Sequence, residues 1–294
     1  MGSRAKSSCA ADSAGIRLMT EMDLSTSLMI VARSDAGMVR THNEDAVFVS
    51  AASGLAILAD GMGGYNAGEV AAGMATSLLS ADLEKAFSPR LPQRQGAGVR
   101  SDAHHILEAS VARANTAIYE AAQSQPQYAG MGTTLVMARF FDNSVTLVHI
   151  GDSRAYRVRE GRLEQLTKDH SLLQEQIDSG MITLDEARLS QNRNLVTRAL
   201  GVDPMVQAEI RDYDTLPGDI YLLCSDGLND MVDDVEITET LSSLAHDPEQ
   251  AATTLIQKAN DHGGRDNVSV VLVKIVQEYA SPRGLIARLL AWFR

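Results

Sequence analysis

The sequence predicts an α+β protein, a four-layer α-β-β-α sandwich in which two antiparallel sheets are flanked by helices. Three observations lead there. Short apolar runs separated by polar or glycine-containing turns read as strands. Longer stretches rich in Ala, Leu, Glu and Met, with apolar positions at one-turn spacing, read as helices. The two kinds come in blocks and not in strict alternation, which favours stacked antiparallel sheets over a parallel doubly wound one.

Along the chain, strands are expected at 28–31, 46–49 and 55–59, followed by two long helices at 68–85 and 102–122. Between these helices the stretch 88–98 has proline, glycine and no periodicity, so it reads as an exposed loop. Strand signals return at 135–140, 145–150, 155–158, 220–223 and 268–275, interrupted by helical stretches at 172–179, 235–244 and 248–262. No internal repeat is visible. Residues 1–24 read as a flexible leader, 25–279 as one domain and 280–294 as an amphipathic tail.

Composition narrows the function. Of the 294 residues, 45% are hydrophobic and 22% charged, enough apolar material for a large core. A net charge of -12 argues against nucleic-acid binding, which draws its affinity from cationic residues that displace counterions. The two cysteines, Cys9 and Cys224, do not make a disulfide framework and suit a reducing compartment. No continuous apolar stretch opens the chain and none approaches the roughly 20 residues of a membrane span. A cytoplasmic location is expected.

Acidic residues recur where a strand is expected to end: Glu44-Asp45, Asp60-Gly61, Asp152-Ser153, Asp226-Gly227 and Asp266-Asn267. Turn chemistry accounts for any one of them, since Asp, Asn and Gly are common turn residues. All five together call for another reason. Hard divalent cations take oxygen ligands, and carboxylates carried on strand ends can converge on one rigid site. In Asp60-Gly61-Met62-Gly63-Gly64 the apolar run 55–59 delivers a carboxylate into a glycine turn, where backbone can approach a ligand closely.

With these residues in view, the chain resembles the metal-dependent type 2C serine/threonine protein phosphatases in their compact bacterial form. The resemblance covers roughly residues 29–276. It rests on six motifs in family order: Arg40-Thr41-His42-Asn43-Glu44-Asp45, Asp60-Gly61-Met62-Gly63-Gly64, Gly130-Met131-Gly132-Thr133-Thr134, Gly151-Asp152-Ser153-Arg154, Ser225-Asp226-Gly227-Leu228 and Arg265-Asp266-Asn267. The family fold is the sandwich already read from the block pattern.

The resemblance implies hydrolysis of phosphoserine and phosphothreonine in proteins, with two or three Mn²⁺ or Mg²⁺ ions. It makes Asp60 the carboxylate that bridges two cations, with Gly61 offering its carbonyl. Asp226 and Asp266 would complete one of them, and Glu44, supported by Asp45, would face the other. Asp152 and Asp230 match the acids of a third cation, and Arg40 would hold the substrate phosphate. The implied partners are phosphorylated proteins, a Ser/Thr kinase and its targets among them.

Met62 and Tyr65 stand where other members carry histidine. Residues 168–200 resemble the family's flap, with Ser190-Gln191 in place of a common His-Pro pair.

Three other readings compete with this one. A catalytically weak scaffold that binds phosphoproteins would be expected to lack Asp60, Asp226 or Asp266, and all three are present. A phosphatase dedicated to one small regulatory protein usually carries a fused sensor domain. A metal-dependent nuclease would want a basic stripe, whereas this chain is acidic.

Among the histidines, His149 reads as a core or sheet-face residue and His104-His105 as solvated. Asp233, Asp234 and Glu236 suit the start of a helix. In the tail, Leu285, Ile286, Leu289, Leu290 and Phe293 recur at one-turn spacing, with Arg283, Arg288 and Arg294 at the flanks. Such a helix could rest on an anionic membrane, dock on a partner or fold back on its own domain.

Overall fold

A computed structural model describes residues 23–64, 66–87, 98–183, 186–187 and 195–280. They belong to a unit spanning Met22–Ser281. The leader up to residue 22, most of the loop 88–98, Tyr65, Ser190-Gln191 and the tail from residue 281 lie outside the described residues.

The apolar runs fold as strands in two sheets. One contains β1 (Leu28–Asp35), β11 (Val268–Ile275), β10 (Ile220–Cys224), β7 (Arg154–Arg159) and β8 (Arg162–Gln165), in that spatial order. The other contains β2 (Asp45–Ser50), β3 (Leu55–Met62), β5 (Leu135–Phe141), β6 (Ser144–Ile150) and β9 (Glu209–Asp214), with the short β4 (Gly132–Thr133) beside β3. Neighbours in both sheets run antiparallel. The described helices are α1 (Ala67–Ala86), α2 (Gly98–Ser124), α3 (Leu172–Asp178), α4 (Asp226–Asn229), α5 (Asp234–Ser243) and α6 (Pro248–Asp261).

Burial explains why the central strands are continuously apolar and do not alternate. On β3, Leu55, Ile57 and Ala59 face α1 and α2, where they pack with Leu79, Leu83 and Leu107. Ala56 and Leu58, on the other face, meet the second sheet. On β11, Val271, Val273 and Ile275 turn toward the space between the sheets, while Val270 and Leu272 pack under α5 and α6 against Ile237 and Leu255. The order of layers is therefore helices, sheet, sheet, helices, as the block pattern predicts. Between the sheets, the rings of Phe140 and Tyr221 meet edge to face, with centroids 5.3 Å apart.

Helix starts follow capping chemistry. Asp233 accepts the Glu236 backbone N–H at 2.8 Å and Asp247 accepts that of Gln250 at 3.1 Å, with Pro248 in the first turn of α6. The expectation for Asp233, Asp234 and Glu236 holds. That for His104 does not, because its Nε2 lies 3.2 Å from Asp212 on β9. A solvated histidine on α2 thus becomes a contact between α2 and the sheet edge. His105 is exposed as expected.

The antiparallel topology places the functional residues. Asp45 opens β2 directly opposite Asp60 near the end of β3, while Asp266 precedes β11 with Asn267 between them and Asp226 follows β10 with Ser225 between them. Strand starts and strand ends thus meet at one end of the sandwich. The acids do not all sit at strand ends, as the sequence suggests, but at whichever terminus reaches that edge.

Candidate active site

Each acid is delivered by a rigid element. Asp60 is held by β3, whose backbone there is clamped by two threonines. Thr134 Oγ1 accepts the Asp60 N–H at 3.0 Å, the Thr134 N–H goes to the Asp60 carbonyl at 2.9 Å, and Thr133 Oγ1 donates to that same carbonyl at 2.9 Å. The next residue, Gly61, donates its N–H to the Glu44 carbonyl at 3.1 Å.

A Cβ at Gly61 would stand 2.1 Å from the Gly68 carbonyl oxygen, and one at Gly68 would stand 2.8 Å from a Glu44 carboxylate oxygen. The two glycines let the first turn of α1 press against the β3 turn and against Glu44 at once.

From the other sheet, Ser225 Oγ donates to Asp45 Oδ2 at 2.8 Å and so joins β10 to β2. Asn267 locks the Arg40 to Glu44 loop in place. Its Oδ1 accepts the Glu44 N–H at 2.8 Å, and its Nδ2 donates to the carbonyls of Ala36 and His42 at 3.0 and 2.9 Å. Sequence reasoning quoted Asn267, Thr133, Thr134 and Ser225 inside motifs without giving them work. Ser225 and Asn267 carried a signal, a small polar side chain flanking an acid beside a buried strand, whereas Thr133 and Thr134 carried none.

The structure brings Arg40, Glu44, Asp45, Asp60, Gly61, Asp152, Asp226, Asp230 and Asp266 to this one end of the sandwich. Asp60 feels Asp45, Asp226, Asp152 and Asp266 at once, and its pKa is pushed well above the usual range, first by burial and then by those charges. Asp226 is raised for the same reasons, with Asp152 and Asp230 the largest contributors after burial. Burial is the largest cause that lifts Asp45 and Asp152 to about 6. Glu44 is raised, again mainly by burial, while Arg40 opposes the shift.

Arg40 is half exposed and donates to Asp266 Oδ2 at 2.7 Å. It faces a set of acids that far outnumbers it.

Such an arrangement is unfavourable on its own, since each carboxylate raises the proton affinity of the next. Asp45 Oδ1 is buried and has no hydrogen-bond partner. Asp60 and Asp226 keep part of their surface at the mouth of the cluster. Donors that are wholly oxygen, a buried oxygen without a partner and an open mouth fit hard divalent cations.

Among the described residues, the one trio whose ligand atoms all lie within 4.8 Å of one another is elsewhere, at His149, His170 and Glu209. No three of the acids bring their oxygens within that distance of one another.

A family model described as Protein phosphatase 2C matches residues 37–260. The chain belongs to this family. It is 40% identical over 263 residues to the serine/threonine protein phosphatase PstP of Mycobacterium tuberculosis, a match that covers 88% of this chain and 48% of that protein. The chain thus spans about half the length of that relative. With the serine/threonine phosphatase stp of Listeria monocytogenes it shares 38% identity over 245 residues, 82% of this chain and 94% of the other.

Among solved structures, the M. tuberculosis serine/threonine phosphatase PstP/Ppp superposes with a TM-score of 0.75 at 40% identity, covering 85% of this chain and all of that one. The catalytic domain of PstP in complex with two manganese ions gives 0.73 at 40% identity, over 85% of this chain and 99% of that one. The protein phosphatase 2C family is thus reached from the motifs, the fold and the comparisons alike.

Proposed function

We propose that this chain hydrolyses phosphoserine and phosphothreonine in proteins with the help of Mn²⁺ or Mg²⁺, and that it reverses the action of a partner Ser/Thr kinase in bacterial signalling. The observation that carries the reading is the convergence of Glu44, Asp45, Asp60, Asp152, Asp226, Asp230 and Asp266 on one end of the sandwich, where Arg40 faces Asp266 and Arg154 offsets Asp152. Relatives of known structure support it, one of them described with two manganese ions.

Asp60 would be shared between two cations, with the Gly61 carbonyl beside it. Asp226 and Asp266 would complete one set of ligands, and Glu44 with Asp45 would serve the other. Asp152 and Asp230 would hold a third ion. Bound there, the cations would neutralise phosphate charge and acidify water.

The chain's own residues do the rest. Thr133 and Thr134 keep the Asp60 backbone fixed, and Asn267 holds the Arg40 loop against β11. Arg40, at the mouth of the cluster, would grip the phosphate oxygens with a planar, permanently charged fork. Of the stretch 168–200 that resembles the family's flap, residues 184–185 and 188–194 lie outside the described residues.

The test is turnover of a phosphothreonine peptide with Mn²⁺ and with EDTA, for wild type and Asp60→Asn. Asp60→Asn should lower turnover by at least about 10³-fold, because a ligand shared by both cations is lost. Turnover that survives EDTA would overturn the metal reading. Phosphopeptide binding without turnover would point to a phosphoprotein-binding scaffold.

A further inference from the structure

Away from the carboxylates, His149, His170 and Glu209 invite a metal reading, and the hydrogen bonds of His170 exclude it. His170 Nδ1 accepts the Gly151 backbone N–H at 3.1 Å. A neutral imidazole has one ring proton, which must then sit on Nε2, so neither nitrogen has a lone pair for a cation. The Arg198 guanidinium lies 3.1 Å from Nε2; it can only donate, so with the ring proton on Nε2 the contact is not a hydrogen bond, and its fixed positive charge makes a cation there less favourable still. His149 lies against this ring with centroids 4.8 Å apart, kept neutral because burial pushes its pKa down to about 3.

We propose that His170 is a positioning residue that fixes the Gly151-Asp152 turn and thereby sets the affinity of the cation site served by Asp152 and Asp230. The proposal rests on the role given to those two acids under Proposed function.

Asp152 is held between two anchored neighbours. On one side, Gly151 and His170 exchange two hydrogen bonds, the His170 N–H going to the Gly151 carbonyl at 2.7 Å and the Gly151 N–H returning to the ring. Gly151 has φ +107°, a conformation open to glycine, and a Cβ there would stand 2.7 Å from Thr134 Cβ. On the other side, Ser153 Oγ and Thr134 Oγ1 share a hydrogen at 2.7 Å, and Thr134 is the residue that clamps Asp60.

A line of hydrogen bonds thus runs from His170 through the Asp152 turn to Asp60. The His170 carbonyl also accepts the Thr197 N–H at 2.8 Å, and the Leu172 N–H reaches the Leu195 carbonyl at 2.9 Å. One residue therefore ties the turn to both described ends of the segment 168–200.

Removing the ring leaves the buried Gly151 N–H without an acceptor and frees one side of the turn. The fold should survive, because Arg154 is tethered independently to Asp169 by hydrogen bonds of 2.7 to 3.1 Å.

The experiment is Mn²⁺ binding by calorimetry on the full chain, with thermal melts, for wild type, His170→Leu, His170→Asn and Asp152→Ala. An Asn oxygen falls close to the place of His Nδ1 and can accept the Gly151 N–H, whereas Leu cannot. Groups that orient metal ligands commonly set affinity by 10- to 100-fold, so His170→Leu should weaken the weakest Mn²⁺ site by about 10-fold. His170→Asn should return to within about 3-fold of wild type, and both should melt alike. If Asp152→Ala binds Mn²⁺ as wild type does, the underlying assignment of that site is wrong. If Asp152→Ala loses the weakest site while His170→Leu keeps wild-type affinity, or His170→Asn is as impaired as His170→Leu, the role of His170 is refuted.

Discussion

Stability of the cation-free protein should fall as the pH rises across the range in which most proteins are most stable. Asp45 and Asp152 rest at about 6 in the fold against an ordinary 3.8, chiefly because they are buried. A shift of about 2 units corresponds to about 3 kcal/mol per group. Since the folded pKa lies above the unfolded one, the folded chain holds more protons between the two values, and stability is lost as pH climbs from about 4 through about 6.

Asp60, Asp226 and Glu44 are displaced in the same direction. Because these acids repel one another, their protons leave as a set and their contributions overlap. We expect a loss of about 3 kcal/mol between pH 5 and pH 7.5 in EDTA, a large share of the 5 to 15 kcal/mol that about one domain has in total. Asp23, Asp178, Asp214 and Glu186, held below the usual range by their hydrogen bonds, are ionised throughout that window and contribute nothing to the change.

Urea unfolding followed by circular dichroism at several pH values, with EDTA and with Mn²⁺, measures the effect. Mn²⁺ should abolish the decline, since an ion that binds only the folded chain replaces the missing protons. Unfolding free energies in EDTA that stay level or rise from pH 5 to 7.5 would refute the account of the acid cluster.

Three further outcomes follow from the geometry. Gly61→Ala places a Cβ 2.1 Å from the Gly68 carbonyl oxygen, and should lower stability by about 2 kcal/mol, seen as a Tm fall of about 5 °C. Its activity should fall as well, because the β3 turn must move. Arg40→Ala should reduce kcat/KM toward a phosphothreonine peptide by about 10²-fold while Mn²⁺ binding by calorimetry is unchanged; unaltered kinetics would remove Arg40 from phosphate binding. Asp230→Ala should bind one Mn²⁺ fewer and turn over more slowly while keeping the two tighter ions, and an unchanged stoichiometry would exclude it from a third site.

Much of this was legible in the sequence because strands buried on both faces announce themselves as apolar runs, and an acid at their margin stands out. The runs at 55–59 and 268–275 were read nearly to their true limits for that reason. Of the four edge strands, β1 and β2 were announced by apolar runs, whereas β8 and β9 gave no such signal. β9 is Glu-Ile-Arg-Asp-Tyr-Asp and β8 is Arg-Leu-Glu-Gln, each paired on one side only, and charge on an edge strand guards against pairing with other chains.

The site's carboxylates were legible for their chemistry, whereas Gly68, Asn267 and Thr134 act across distances of 7, 223 and 74 residues along the chain. No local pattern encodes contacts of that kind. His104 was misread for the same reason, since its partner Asp212 belongs to an edge strand that the pattern does not reveal.

The edge-to-face pair of Phe140 and Tyr221 sits in the layer between the sheets, and that layer also governs the chemistry at the rim. Glu44, Asp45 and Asp60 are carried by one sheet and Asp226 and Asp266 by the other, with Asp152 in the turn that crosses between them. The gap across which the two groups of oxygens face each other is therefore a thickness, fixed by the side chains stacked between the sheets and not by any loop. Trimming Leu58 or Leu223, members of that layer two and three residues along the chain from Asp60 and Asp226, would let the sheets settle closer there and would retune the spacing of the acids from within the core.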